Sequence, residues 1–166
     1  MRRLILPFVW LAAVAVTAGC ASLEVVERTT RGPQAREFLT ARSYETNGRA
    51  PNFEEKQHWG DQIDARIAKY LREHPELQQA TRYSDFRFWK HVTPGSTPAE
   101  VRILLDEPQE QTIDPALMAV LAEQHWSEIR PKAKEAWVYP YGWVLYFDDK
   151  GVVDMIRRIS GVRADE

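Results

Sequence analysis

The sequence predicts an α+β fold, with two or more helices packed on one face of a three-stranded antiparallel β-meander. Three observations carry that expectation. Apolar residues recur at helical spacing between 61 and 128. Aromatic and β-branched residues then crowd into three short runs between 136 and 159. The runs are separated by turn sequences too short for a crossover, so the strands must run antiparallel. At 166 residues, 44% hydrophobic and 28% charged, the chain has room for one core of ordinary composition.

The first helix is expected from near Asp61, which can cap it, with Asp64 in the first turn. Ile63, Ile67, Tyr70 and Leu71 form its apolar stripe, and Pro75 stops it at His74. Pro75 can open a second short helix to about Arg82, followed by a dense aromatic segment of Phe86, Phe88 and Trp89. Pro94-Gly95 suits a type II turn. Thr97, Pro98 and Glu100 then supply N-cap, first turn and capping box for a helix that buries Val101, Leu104 and Leu105 and closes at Pro108. A further helix is expected over 114–128, capped by Asp114, with Leu117, Val120, Leu121 and Ile129 on its core side. The strands are 136–139, 143–147 and 152–159, joined by Pro140-Tyr141-Gly142 and by Asp148-Asp149-Lys150-Gly151.

Residues 1–19 have the form of a signal peptide. Arg2 and Arg3 precede a thirteen-residue uncharged apolar run, Leu4 to Val16, too short to span a bilayer, which needs about 17–25 residues. Thr17-Ala18-Gly19-Cys20 follows, and Cys20 is the sole cysteine. An ordinary secretory signal cut near Ala18, or an uncleaved anchor, with Cys20 incidental, is the competing reading. The segment resembles the lipobox of bacterial lipoproteins. That resemblance implies cleavage between Gly19 and Cys20 and a diacylglycerol thioether on Cys20, with the freed amino group acylated, as by palmitate. Ala21 rather than Asp after the cysteine resembles the signal for passage to the outer membrane, with the folded body facing the periplasm. Loss of Arg2 and Arg3 would move the net charge from −2 to −4, leaving the lipid to do the anchoring.

The expected organisation is therefore a signal at 1–19, a flexible tether at 20–60, a helical segment at 61–91 and an α+β domain at 92–163. A helical insertion falls at about 109–133. Thr93-Pro94-Gly95-Ser96-Thr97-Pro98-Ala99-Glu100-Val101, the short helix closing on Pro108, Trp137-Val138-Tyr139 and Phe147-Asp148-Asp149-Lys150-Gly151 stand in a fixed order. In that order they resemble the SmpA/OmlA, or BamE-like, family. Asp106 occupies the position before Glu107-Pro108 where the family pattern has glycine. The resemblance implies a non-enzymatic interaction protein of the envelope, with a partner among other envelope proteins such as the machine that assembles outer-membrane β-barrels.

Candidate chemistry is sparse. His58, His74, His91 and His125 show no ligand spacing, and a single cysteine excludes Cys-rich zinc patterns, so no metal is expected. Glu54-Glu55 and Asp61/Asp64 read as solvated or helix-end carboxylates rather than an acid–base pair. Asp148-Asp149 lacks the ligand spacing of a calcium loop. No phosphate loop is present, and the weakly negative charge gives no footprint for nucleic acid. No cofactor is expected beyond the lipid on Cys20. The candidate partner-binding residues are Trp137, Tyr139, Tyr141, Trp143 and Tyr146, because helices on one face alone would leave one aromatic set of the sheet exposed. A periplasmic small-ligand binder or enzyme with a pocket between helices and sheet is the alternative.

Overall fold

A computed structural model describes residues 24–160. The segment expected as a signal peptide, and Cys20, lie outside the described residues. The fold is α+β, and its sheet has five antiparallel strands rather than three. Strands β1 (Glu24–Arg28), β2 (Glu110–Thr112), β3 (Glu135–Tyr139), β4 (Trp143–Phe147) and β5 (Val152–Ser160) stand in the order β1-β5-β4-β3-β2. The three expected strands form the central meander β3-β4-β5, with Trp137 opposite Leu145 and Leu145 opposite Met155. The two additional strands flank it.

Of the stretch expected as a tether, residues 24–60 belong to the fold. Its first part is β1, which pairs with β5 from Glu24 against Ser160 to Arg28 against Ile156. Helix α1 (Ala35–Asn47) follows and stops at Gly48, whose left-handed conformation lets its N–H reach the Tyr44 carbonyl. Helix α2 (Phe53–Glu73) starts eight residues before Asp61. Asn52 accepts from the Glu55 N–H while Glu55 accepts from the Asn52 N–H, a capping box that overrides Asp61 as a start signal. Ile63, Ile67 and Leu71 are buried as expected, and the helix ends at His74 before Pro75. Beyond it, Pro75–Gln79 is a single 3₁₀ turn and Asp85–Trp89 a π turn ending at Lys90 with φ of 52°.

Helix α3 (Pro98–Leu105) has the capping box of Thr97 and Glu100 that the sequence announces. The carboxylate of Glu100 is buried and receives Arg82 at 3.1 and 3.2 Å. Asp106 then takes φ 60° and ψ −158°, a conformation almost confined to glycine. Arg42 and Arg66 grip its carboxylate at 3.1 and 2.7 Å, which helps hold the backbone there.

The helix expected over 114–128 is broken. Helix α4 (Pro115–Ala122) ends where Glu123 adopts φ 49°, and a short α5 (Trp126–Ile129) follows a 3₁₀ turn. These elements pack on the opposite face of the sheet from α1, α2 and α3, so both faces are covered. Trp137, Tyr139, Trp143, Leu145, Phe147 and Met155 point into one core with Ile63, Ile67 and Leu104. Val26, Ala136, Val144, Tyr146 and Ile156 point into the other with Met118, Ala122 and Ile129. On β1, the outer strand at one side of the sheet, Gln124 donates to the Val26 carbonyl at 3.2 Å.

The capping box of α2 has a measurable acid dependence. The hydrogen bond from Arg49, reinforced by the Asn52 N–H, holds the Glu55 carboxyl at about 2 instead of 4.5. A carboxyl depressed by folding contributes fully above its unfolded value and loses that contribution as pH falls through its folded one. Glu55→Gln keeps the cap geometry but removes the charge. Its stability deficit in urea titrations should be constant above pH 4.5 and close as pH falls toward 2. A deficit unchanged across that window contradicts the assignment.

Candidate functional site

Four of the five candidate aromatics are structural pins. Trp137, Tyr139, Trp143 and Tyr146 are buried because no sheet face is left open. Their polar tips show what they hold. Trp143 Nε1 donates to Glu37 of α1 at 3.3 Å, and the Tyr139 hydroxyl donates to the Asp106 carbonyl at the end of α3 at 3.2 Å. The Tyr146 hydroxyl donates to the Met118 carbonyl in α4 at 3.2 Å. Trp137 donates to Glu135 of its own strand at 2.6 Å and lies against Phe147, with Arg102 over its ring. Burial pushes both tyrosine hydroxyls well above their ordinary value, so they remain donors throughout the physiological range.

Tyr141 differs. It sits in the turn Pro140–Gly142 with φ 61° and is 45% exposed. The turn is forced tight by its neighbour: Gly142 has φ 74°, and a Cβ there would strike the Arg158 carbonyl. Tyr141 faces an open groove of about 740 Å³ between this turn and the C-terminal part of α1. Ala41, Tyr44, Val138 and Pro140 line it, with Glu45 and Gln109 as its polar edge.

A second uncovered surface lies on α4. The sequence Pro115-Ala116-Leu117-Met118-Ala119-Val120-Leu121-Ala122 is apolar around its whole circumference, so periodicity cannot say which side is buried. The sheet takes Met118 and Ala122. Leu117 and Val120, expected in the core, are instead 54% and 66% exposed, and Ile113 before the cap is 76% exposed. The preceding strand β2 pairs only with β3, leaving its other edge unpaired by any described strand. Exposed apolar side chains and an unpaired strand edge are each surfaces suited to a protein partner.

The titratable residues have local structural work. Asp64 receives Arg87 and Lys90 at 2.8 and 3.1 Å. Asp148 accepts from the N–H groups of Lys150 and Gly151, closing the β4–β5 turn, and those bonds lower its carboxyl. Asp149 pairs with Lys134. His58 meets Gln62, His74 meets Glu76, His91 lies by the Gly32 carbonyl and His125 by that of Val26. Among the described residues no group of three His, Cys, Asp or Glu side chains could hold a metal ion, and no helix is long and apolar enough to cross a membrane.

Compared with models of known families, with curated proteins and with solved structures, the chain matches none. Its functional reading therefore rests on its own residues.

Pin and surface residues should separate by stability. Tyr146→Phe removes the buried hydroxyl's bond to the Met118 carbonyl and should cost about 1 kcal/mol. Tyr141→Phe should stay within about 0.5 kcal/mol of wild type. Urea midpoints measure both, and equal losses would contradict the division.

Proposed function

We propose that this chain is a non-enzymatic lipoprotein. In this reading Cys20 carries the lipid that holds it at the outer membrane, and the folded body faces the periplasm, where it binds another envelope protein. The observation that carries the binding role is the exposure of Ile113, Leu117 and Val120, three large apolar side chains within eight residues of the chain. A helix that presents such residues to water gains by burying them, at about 25 cal/mol per Å². The partner-binding role thus moves from the buried strand aromatics to α4, with Tyr141 as the exposed remainder of the original set.

Two features support the SmpA/OmlA resemblance. Asp106 adopts a glycine-like backbone at the position where the family pattern has glycine. The Thr97–Glu100 capping box opens the short helix that leads to it. Assembly of outer-membrane β-barrels is the process this resemblance favours. The alternative, a small-ligand binder or enzyme, draws on the groove at Tyr141, whose lining holds Glu45 as its sole carboxylate.

Two variants test this reading. Cys20→Ser should move the protein from the membrane to the soluble periplasmic fraction and abolish fatty-acid labelling. Unchanged fractionation would exclude the anchor. Leu117→Asp with Val120→Asp should leave the urea midpoint near wild type, since both side chains are exposed. The pair should cut recovery of barrel-assembly subunits from solubilised outer membranes by about tenfold or more. Undiminished recovery would remove α4 from the interface.

A further inference from the structure

The spacing between Cys20 and the first strand fixes which end of the molecule meets the bilayer, an inference that rests on the lipid anchor proposed above. Cys20 precedes Glu24, where β1 starts, by four residues. Four residues reach at most about 14 Å at about 3.5 Å each. The polar headgroup layer takes up about 6 Å of that on one side of the membrane. The end of the sheet at which β1 starts is therefore kept within about 8 Å of the headgroup surface.

The strand register names the other residues at that end. Val26 pairs with Arg158, Arg157 with Trp143 and Trp143 with Tyr139, so the Pro140–Gly142 turn closes the sheet on the side from which β1 enters. Helix α1 finishes there as well. Phe38 rests edge-on against Tyr139 at 5.2 Å. Tyr44 lies further along the helix and lines the apolar groove together with Tyr141. Tyr44 is 54% exposed. The opposite end of the sheet carries the charged turn Asp148-Asp149-Lys150.

Tyrosine has an apolar ring and a polar tip, and it concentrates at the level of lipid headgroups for that reason. Two exposed tyrosines flanking an apolar groove thus stand where chain length alone puts the membrane surface. We propose that this end of the protein is seated in the headgroup layer, with Tyr44 and Tyr141 as its contacts. The α4 face lies on a broad side of the sheet and stays clear of the bilayer, open to a protein partner. The lipid does the anchoring and the tyrosines set the orientation.

The test uses full-length lipidated protein in vesicles of phosphatidylethanolamine and phosphatidylglycerol. Acylated Cys20 has no free thiol, so Tyr44→Cys, Tyr141→Cys and Lys150→Cys each accept one environment-sensitive fluorophore. Spin-labelled headgroup lipids should quench positions 44 and 141 by about twofold or more and leave 150 unaffected. The unsubstituted protein supplies a second readout: hydroxyl-radical modification of Tyr44 and Tyr141 should fall on vesicles relative to soluble Cys20→Ser. Acylated protein that floats with vesicles but shows no quenching at 44 and 141, or equal quenching at 150, overturns the seat and leaves the anchor standing. An intact mass showing unmodified Cys20 overturns the anchor, and the seat with it.

Discussion

Strand β4 has no side facing water, and the rest of the architecture answers to that. All five residues from Trp143 to Phe147 are buried, with Trp143, Leu145 and Phe147 on one face and Val144 and Tyr146 on the other. A strand of this kind needs cover on both sides. Helices α1, α2 and α3 provide one layer, and α4 with α5 provides the second. Large aromatics bring polar tips into these layers, and each tip must find a partner. The tips of Trp143, Tyr139 and Tyr146 reach α1, the end of α3 and α4 respectively, so the same residues that fill the core also register the helices on the sheet.

Polar ties secure the edges that packing leaves weaker. Arg28 at the end of β1 forks onto buried Asp154 of β5, with Nε at 2.9 Å and Nη2 at 2.6 Å, and also meets Glu128 of α5. Three elements converge on one guanidinium, which is raised above its ordinary value chiefly by the bond to Asp154. Such a fork gives geometric specificity that a lysine could not. Asp106 works similarly between helices, binding Arg42 of α1 and Arg66 of α2 while its carbonyl receives Tyr139. Side-chain pairing and backbone conformation thus meet at the one position where glycine would have removed the strain but also both ion pairs.

The meander and α3 were legible because their signals are local. Alternation sorted Trp137 and Tyr139 from Val138, and the Thr97–Glu100 box marked a helix start. The edge strands were not legible. Glu24–Arg28 and Glu110–Thr112 are short, charged or polar, and become strands only through partners far along the chain. Helix α2 began earlier than Asp61 suggested because Asn52 and Glu55 cap each other across a stretch otherwise readable as a loop. Helix α4 defeated periodicity for the opposite reason, since a segment apolar on all sides offers no polar face to orient it. Four of the five aromatic candidates proved buried together, as the open sheet face that would have exposed them depended on that same helix packing elsewhere.

The pairing of β1 with β5 has a consequence in time. Residue 24 finds its strand partner at residue 160, nearly the whole described chain away. Closing so long a loop is slow, and it cannot begin until the last strand exists. While the chain is made from its N-terminus, β1 stays unpaired until the final strand has followed. The complete five-stranded sheet therefore cannot form on a partly made chain, and its closure waits on nearly the last described residue.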